Sequence, residues 1–162
     1  MSEIRVDVAN LQRKIQALNA ALKAADPKMR RAMLKEMRAV ANRIKDEQQD
    51  AVVALPAHGG KSTGLRQAAA LSLAITVRGT GKRTGVEIRS RKAVMPDGKQ
   101  RLPRYMDRGS WRHPVYGGKT WVTQSTPPGW FLGTGAKMRP EAVRELSDVV
   151  QRFWYAFAAS QQ

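Results

Sequence analysis

The chain has 162 residues, 42% hydrophobic and 26% charged, with 29 Lys and Arg against 13 Asp and Glu, for a net charge of +16. That length suits one domain with a sizeable core, and the composition excludes a disordered chain. The lack of cysteine excludes disulfides and thiolate metal sites, and no apolar run approaches the roughly 18 residues of a membrane-spanning helix.

The excess charge is concentrated. Residues 61–119 hold 14 basic and 3 acidic side chains, net +11, whereas residues 1–60 are net +4 and residues 120–162 net +1. Such a block points to a polyanion or an acidic partner, the plainer alternative being a solvated face. The aromatics are also uneven, since all ten lie between Tyr105 and Phe157. An aliphatic front half must therefore bring its apolar faces to an aromatic-rich back half.

The start, MSEIRVDVANLQRK, has no apolar stretch of signal-peptide length, so the expectation is a soluble protein that stays where it is made. Leu11, Ile15, Leu18 and Leu22 recur at steps of four and three and predict a helix from Asn10. Asp26 followed by Pro27 is a cap and a first-turn proline, starting a second helix with the stripe Met29, Met33, Met37, Val40 and Ile44. Two helices joined at Asp26 read as a long hairpin with heptad-like seams. Such seams are usually intramolecular core, although a thioether row also adapts to a partner. From Leu55 to Gly64 the pattern breaks into a loop.

Leu65–Leu71 suits a short helix. Leu73, Ile75 and Val77, then Val86 and Ile88, alternate around the glycine-rich turn Gly79–Gly85 as a β-hairpin should. Arg89–Arg104 reads as a basic loop with a turn at Met95–Gly98, Leu102–Gly109 as one or two helical turns, and Trp121–Val122 as a further strand ended by Thr126–Gly129. The segment from Trp111 to Phe131, with aromatics among prolines and glycines, is too irregular for a helix. Pro140 at a first-turn position, with Glu141 and Glu145 near the positive end of the helix dipole, predicts a last helix with the stripe Val143, Leu146, Val150, Phe153 and Phe157. The expected architecture is a single α+β domain over residues 1–162: a helical front half (1–54), a small antiparallel sheet with long basic loops (64–137), and a C-terminal helix (138–160) packed on the sheet.

Motifs for chemistry are weak. Gly59-Gly60-Lys61-Ser62-Thr63 resembles the end of a phosphate-binding loop, but the required opening glycine is Leu55. In Gly79–Gly85, Arg83 stands where a magnesium-binding hydroxyl belongs. With two histidines, His58 and His113, and only Glu87, Asp97 and Asp107 as acids in the middle third, neither a metal site nor an acid–base pair is supplied. No catalytic, metal or cofactor residue is assigned, no cofactor is expected, and the expectation is a protein that is not an enzyme. His113 before Pro114 reads as a residue fixing a loop. Basic side chains interleaved with aromatics, from Arg101, Arg104, Tyr105 and Arg108 to Trp111, Arg112 and Tyr116, could stack bases and neutralise phosphates. The alternative is that the aromatics are core. Burial is favoured for Trp121 and Phe131, while Trp111 and Tyr116 stay open. Arg89, Arg91 and Lys92 extend the basic contact surface.

Trp111-Arg112-His113-Pro114-Val115-Tyr116-Gly117, then Trp121-Val122-Thr123-Gln124, then Trp130-Phe131 before a long helix, resembles the neck or minor tail-component proteins of long-tailed bacteriophages. The Gly64-Leu65-Arg66 step before the strands is similar too. The chain departs from that pattern at Gly118 and at Trp130, where a polar residue and a phenylalanine stand in the family. The resemblance implies a structural virion subunit, made in the host cytoplasm, that forms a six- or twelve-fold ring at the head–tail junction and serves head–tail joining or tail completion. Its implied partners are connector or stopper proteins, tail terminator or tail-tube proteins, and DNA in the channel, with no membrane. Trp111, Arg112, His113, Pro114, Tyr116, Gly117, Trp121 and Gln124 would form an interaction loop acting as a latch. The alternatives are a tail terminator or a free-standing, sequence-independent nucleic-acid-binding protein, with a small nuclease using His113 a distant third.

Overall fold

A computed structural model describes residues 8–56, 64–79, 85–114 and 119–162. In chain order these form helices α1 (Val8–Ala24) and α2 (Pro27–Val53), a short α3 (Leu65–Leu71), strands β1 (Leu73–Arg78) and β2 (Gly85–Ser90), a single 3-10 turn (Lys92–Val94), α4 (Leu102–Arg108), strands β3 (Ser110–Pro114) and β4 (Trp121–Ser125), and α5 (Leu132–Ala159). The fold is α+β, as expected.

The reversal between the first two helices is built as its residues dictate. The Asp26 carboxylate accepts hydrogen bonds from the backbone N–H groups of Lys28 at 2.7 Å and Met29 at 3.4 Å, and Pro27 occupies the first turn, where no N–H is needed. The helix that follows has 27 residues, about 40 Å. It runs antiparallel to α5. Gln48 donates to the Phe131 carbonyl at 2.8 Å near one end, Arg43 meets Glu145 in the middle, and Arg152 meets Glu36 at 2.5 Å near the other. That last hydrogen bond pushes the Arg152 guanidinium above its ordinary pKa. Both ion pairs lie at the surface and contribute little; the apolar seam between the helices holds them.

The core has two parts. One unites Ala21, Leu22 and Ala25 of the hairpin, Met33 and Met37 of α2, and Val149 and Phe153 of α5. The methionine row is thus intramolecular packing. The other gathers Val52, Leu55, Ala69, Ala70, Leu73, Met95, Leu102, Met106 and Trp130, with Trp111 and Phe131 against it. Front and back halves of the chain meet in both.

The Gly64-Leu65-Arg66 step has a physical account. Gly64 takes a left-handed conformation at φ 70°, Leu65 packs on the second cluster, and Arg66 turns back to donate to the Val53 and Leu55 carbonyls. A guanidinium on the last carbonyls of α2 satisfies acceptors the helix leaves open and complements its dipole. Gln49 donates to the Ala70 carbonyl at 2.9 Å, fixing α3 to α2. Ser72 spends its hydroxyl proton on the Ala69 carbonyl, so Ser90 is the donor in the 2.7 Å contact between the two hydroxyls, and the Arg91 N–H closes the hairpin on the Ser72 carbonyl.

Four expectations are corrected. There are two separate two-stranded sheets, β1–β2 and β3–β4, not one. The chain leaves β2 through the 3-10 turn, and buried Met95 and α4 then intervene before the next strand. Second, Ser110–Pro114 is a strand, not an irregular loop. Third, the last helix begins at Leu132, with Pro140 inside it. The missing Pro140 N–H leaves the carbonyl of Ala136, an exposed residue, without its helical donor. Fourth, Val143 is 53% exposed, whereas Ala142, Val149 and Phe153 face the core. The expected turn at Met95–Gly98 sits one residue later: Lys99 N–H bonds the Pro96 carbonyl at 2.9 Å around left-handed Gly98.

Candidate functional site

Most of the residues singled out in the sequence fall on the β3–β4 hairpin and on or beside α4, with Arg89, Arg91 and Lys92 at the end of β2 and the turn after it. β3 and β4 pair antiparallel with Trp111 opposite Gln124, Arg112 opposite Thr123, His113 opposite Val122 and Pro114 opposite Trp121. Strand alternation therefore gives the hairpin two unlike faces. Trp111, His113, Val122 and Gln124 form the half-buried inner face, with Trp111 resting on the second core cluster. Ser110, Arg112, Trp121, Thr123 and Ser125 are exposed on the outer face. Tyr116 and Gly117 lie outside the described residues.

Trp121 was expected in the core, and it is 55% exposed. Its odd position in the alternation, shared with Thr123 and Ser125, turns it away from Val122 and Gln124. The Arg112 guanidinium lies 6.0 Å from the centre of its ring, at cation–π range. Phe131 is partly buried, as expected, meeting Trp130 edge-on at 5.5 Å.

A clasp beneath the hairpin fixes its position. α4 ends on Gly109 at φ 87°, where an added Cβ would fall 3.0 Å from Pro128 Cβ and from the Thr126 carbonyl, so only glycine fits without strain. Thr126 N–H bonds the Gly109 carbonyl at 2.9 Å, and Gly129 N–H bonds the Asp107 carbonyl at 2.8 Å. The Trp130 indole N–H donates to the Pro103 carbonyl at 3.2 Å.

Asp107 completes it. Its carboxylate accepts from Phe131 N–H at 2.7 Å and Leu132 N–H at 3.2 Å. These are orphan donors at the start of α5, whose own N-cap residue supplies no side-chain bond. Sequence reasoning missed this role, because the cap comes from 24 residues upstream in the chain. Replacing Asp107 with alanine should lower unfolding free energy by about 0.5–2 kcal/mol, with asparagine milder because its carbonyl still accepts. Thermal melts of the two variants would check the order.

The other acids considered for chemistry have structural surroundings. Glu87 pairs with Arg78 at 3.2 Å, and Asp97 stands exposed in the turn before Lys99. Among the described residues no group of three or more His, Asp or Glu is placed to hold a metal, and no helix is long and apolar enough to cross a membrane. Leu55, which denied the phosphate-loop reading, is a buried core residue; Gly59–Thr63 and Arg83 lie outside the described residues.

The basic residues divide into two groups. Arg89 is the penultimate residue of β2, with Arg91 and Lys92 just beyond the strand where the 3-10 turn packs on α3. Arg101, Arg104 and Arg108 follow α4 at steps of three and four, opposite its buried Leu102, Pro103 and Met106, and Arg112 follows on β3. All seven are exposed. No ion pair to any of them occurs among the described residues.

Comparison of the chain with protein-family models, with curated proteins and with solved structures finds no match.

Proposed function

We propose that this chain is a structural subunit of a bacteriophage virion, forming a closed six- or twelve-fold ring at the head–tail junction and serving head–tail joining or tail completion. The observation that carries the self-association is a stripe on α5. Leu132, Ala136, Val143, Ser147, Gln151 and Tyr155 are exposed and uncharged along it, with Leu132 at 69% and Tyr155 at 70% exposure, and the cation Arg139 interrupts it between Ala136 and Val143.

On a chain of net charge +16, copies repel one another wherever their cations meet. The α5 stripe is a face through which copies can approach with less of that repulsion, and burying it in a ring removes the exposed apolar side chains from water. The resemblance of the Trp111–Gln124 segment to neck and minor tail proteins supplies the location. The hairpin's registered pairing supports a latch, since residues seven to fifteen apart in sequence are braced against each other, with Trp111 against the core. Connector, stopper, tail terminator or tail-tube proteins are the neighbours this position implies.

Sedimentation of the purified protein should show concentration-dependent multimers, and Val143→Lys with Tyr155→Lys should shift them at least tenfold toward monomer without lowering the melting temperature. Electron microscopy of particles carrying a tagged chain should find the tag where head meets tail. A wild-type chain that stays monomeric at high concentration, or a tag absent from particles, would overturn the reading.

A further inference from the structure

The arginines of α4 are held where a row of phosphates could meet them. Arg101 and Arg108 lie seven residues apart on one helical face, about 10 Å along the axis, with Arg104 between. A nucleic-acid strand carries one phosphate per about 3.4 Å of axis, so about 10 Å of strand spans three phosphate steps. The cations are spaced more widely, and their long side chains must reach to meet the phosphates along that span. Buried Leu102 and Met106 anchor the same helix, and its C-terminus is fixed by Gly109 and by the bonds of the clasp, so the backbone that carries the row is held in place.

The outer face of the hairpin continues the surface. Arg112 is four residues beyond Arg108, and the second core cluster lies behind both elements, under Met106 on one side and Trp111 on the other. Beside Arg112, Trp121 offers an exposed ring, and Thr123 lies across from Arg112. An exposed indole next to guanidinium groups is the combination that stacks unpaired bases while neutralising their backbone.

We infer that Arg101, Arg104, Arg108 and Arg112 form a sequence-independent binding surface for the phosphate backbone of DNA, with Trp121 able to stack a base where the strand is unpaired. This deepens the reading of the chain as a virion subunit. It rests on that reading for where DNA is met, not for whether DNA is bound. Contacts of this kind fix position and carry no sequence information, which suits a strand that must move past.

The test is fluorescence anisotropy of the full chain with duplex and single-stranded DNA of mixed sequence across a salt series. Replacing Arg101, Arg104 and Arg108 together with glutamine should flatten the dependence of log affinity on log salt for duplex by about 3. A second triple, Arg31→Gln, Lys35→Gln and Arg38→Gln on exposed positions of α2, removes the same charge elsewhere and should change that slope far less. Melting curves confirm that both triples remain folded. Trp121→Ala separates the two forms of DNA: weakening confined to single strands, on the order of five- to a hundredfold, marks a stacked base, and an unchanged affinity for both forms marks a backbone-only surface, each with the arginine row intact as the site. Equal losses in the two triples would show mere net charge and overturn the assignment. So would wild-type protein that fails to bind DNA at low salt, or that instead binds polyglutamate through the same arginines. Because binding is read on the purified chain, a negative result here leaves ring assembly standing, and a monomeric chain that binds DNA leaves this surface standing.

Discussion

Trp130→Ala should destabilise the protein by about 3–5 kcal/mol, the range for emptying a large aromatic site. Trp130 is 4% exposed and joins three parts of the fold: it fills the second core cluster, bonds the Pro103 carbonyl of α4, and meets Phe131 edge-on just before α5. Truncation leaves a cavity in the second core cluster and strips the Pro103 carbonyl of its donor. Urea unfolding followed by circular dichroism would measure the loss. Trp130→Phe isolates the second contribution, since it keeps most of the apolar bulk and loses the N–H. A loss of about 1 kcal/mol is expected there. If alanine and phenylalanine were equally damaging, the hydrogen bond and not the packing would be what holds the clasp.

Phe153→Ala is expected to cost a similar amount, about 3–5 kcal/mol, in the other half of the core. Phe153 packs on the α1–α2 hairpin through Leu22, Met33 and Met37, stacks on Phe157 at 5.9 Å and meets Trp154 edge-on at 6.1 Å. Since Phe153 and Trp130 share no cluster members, their effects should add to within about 0.5 kcal/mol if the protein unfolds in one step. A double variant that loses much less than the sum would mean that the two clusters unfold separately.

Both residues stand in the aromatic back half, and both pack on the aliphatic front half. That division of labour is legible in composition, because a front half without a single aromatic residue cannot build two clusters of this kind alone. The Asp26–Pro27 helix start, the β1–β2 hairpin and the Gly109 stop are legible for the same reason. Each depends on backbone chemistry within a few residues, namely a carboxylate near two N–H groups, alternation along a strand, or a glycine at positive φ.

The start of α5 was not legible. Pro140 with Glu141 is a strong local start signal, yet the helix begins at Leu132 because Asp107, remote in sequence, caps Phe131 and Leu132. The same reason explains Trp121, which composition places in the core and strand register places outside.

For the candidate site, the sequence alone determined which side chains are present: a cationic block from residue 61 to residue 119 with interleaved aromatics and only Glu87, Asp97 and Asp107 as acids. It could not say which cations share a face. Tertiary structure decided that Arg101, Arg104 and Arg108 line one side of a helix with Arg112 following on β3, while Arg89, Arg91 and Lys92 sit beside α3. It also decided that Asp107 caps a helix. Local signals act over one or two turns of chain, whereas caps, register and shared faces depend on contacts between segments that only folding brings together.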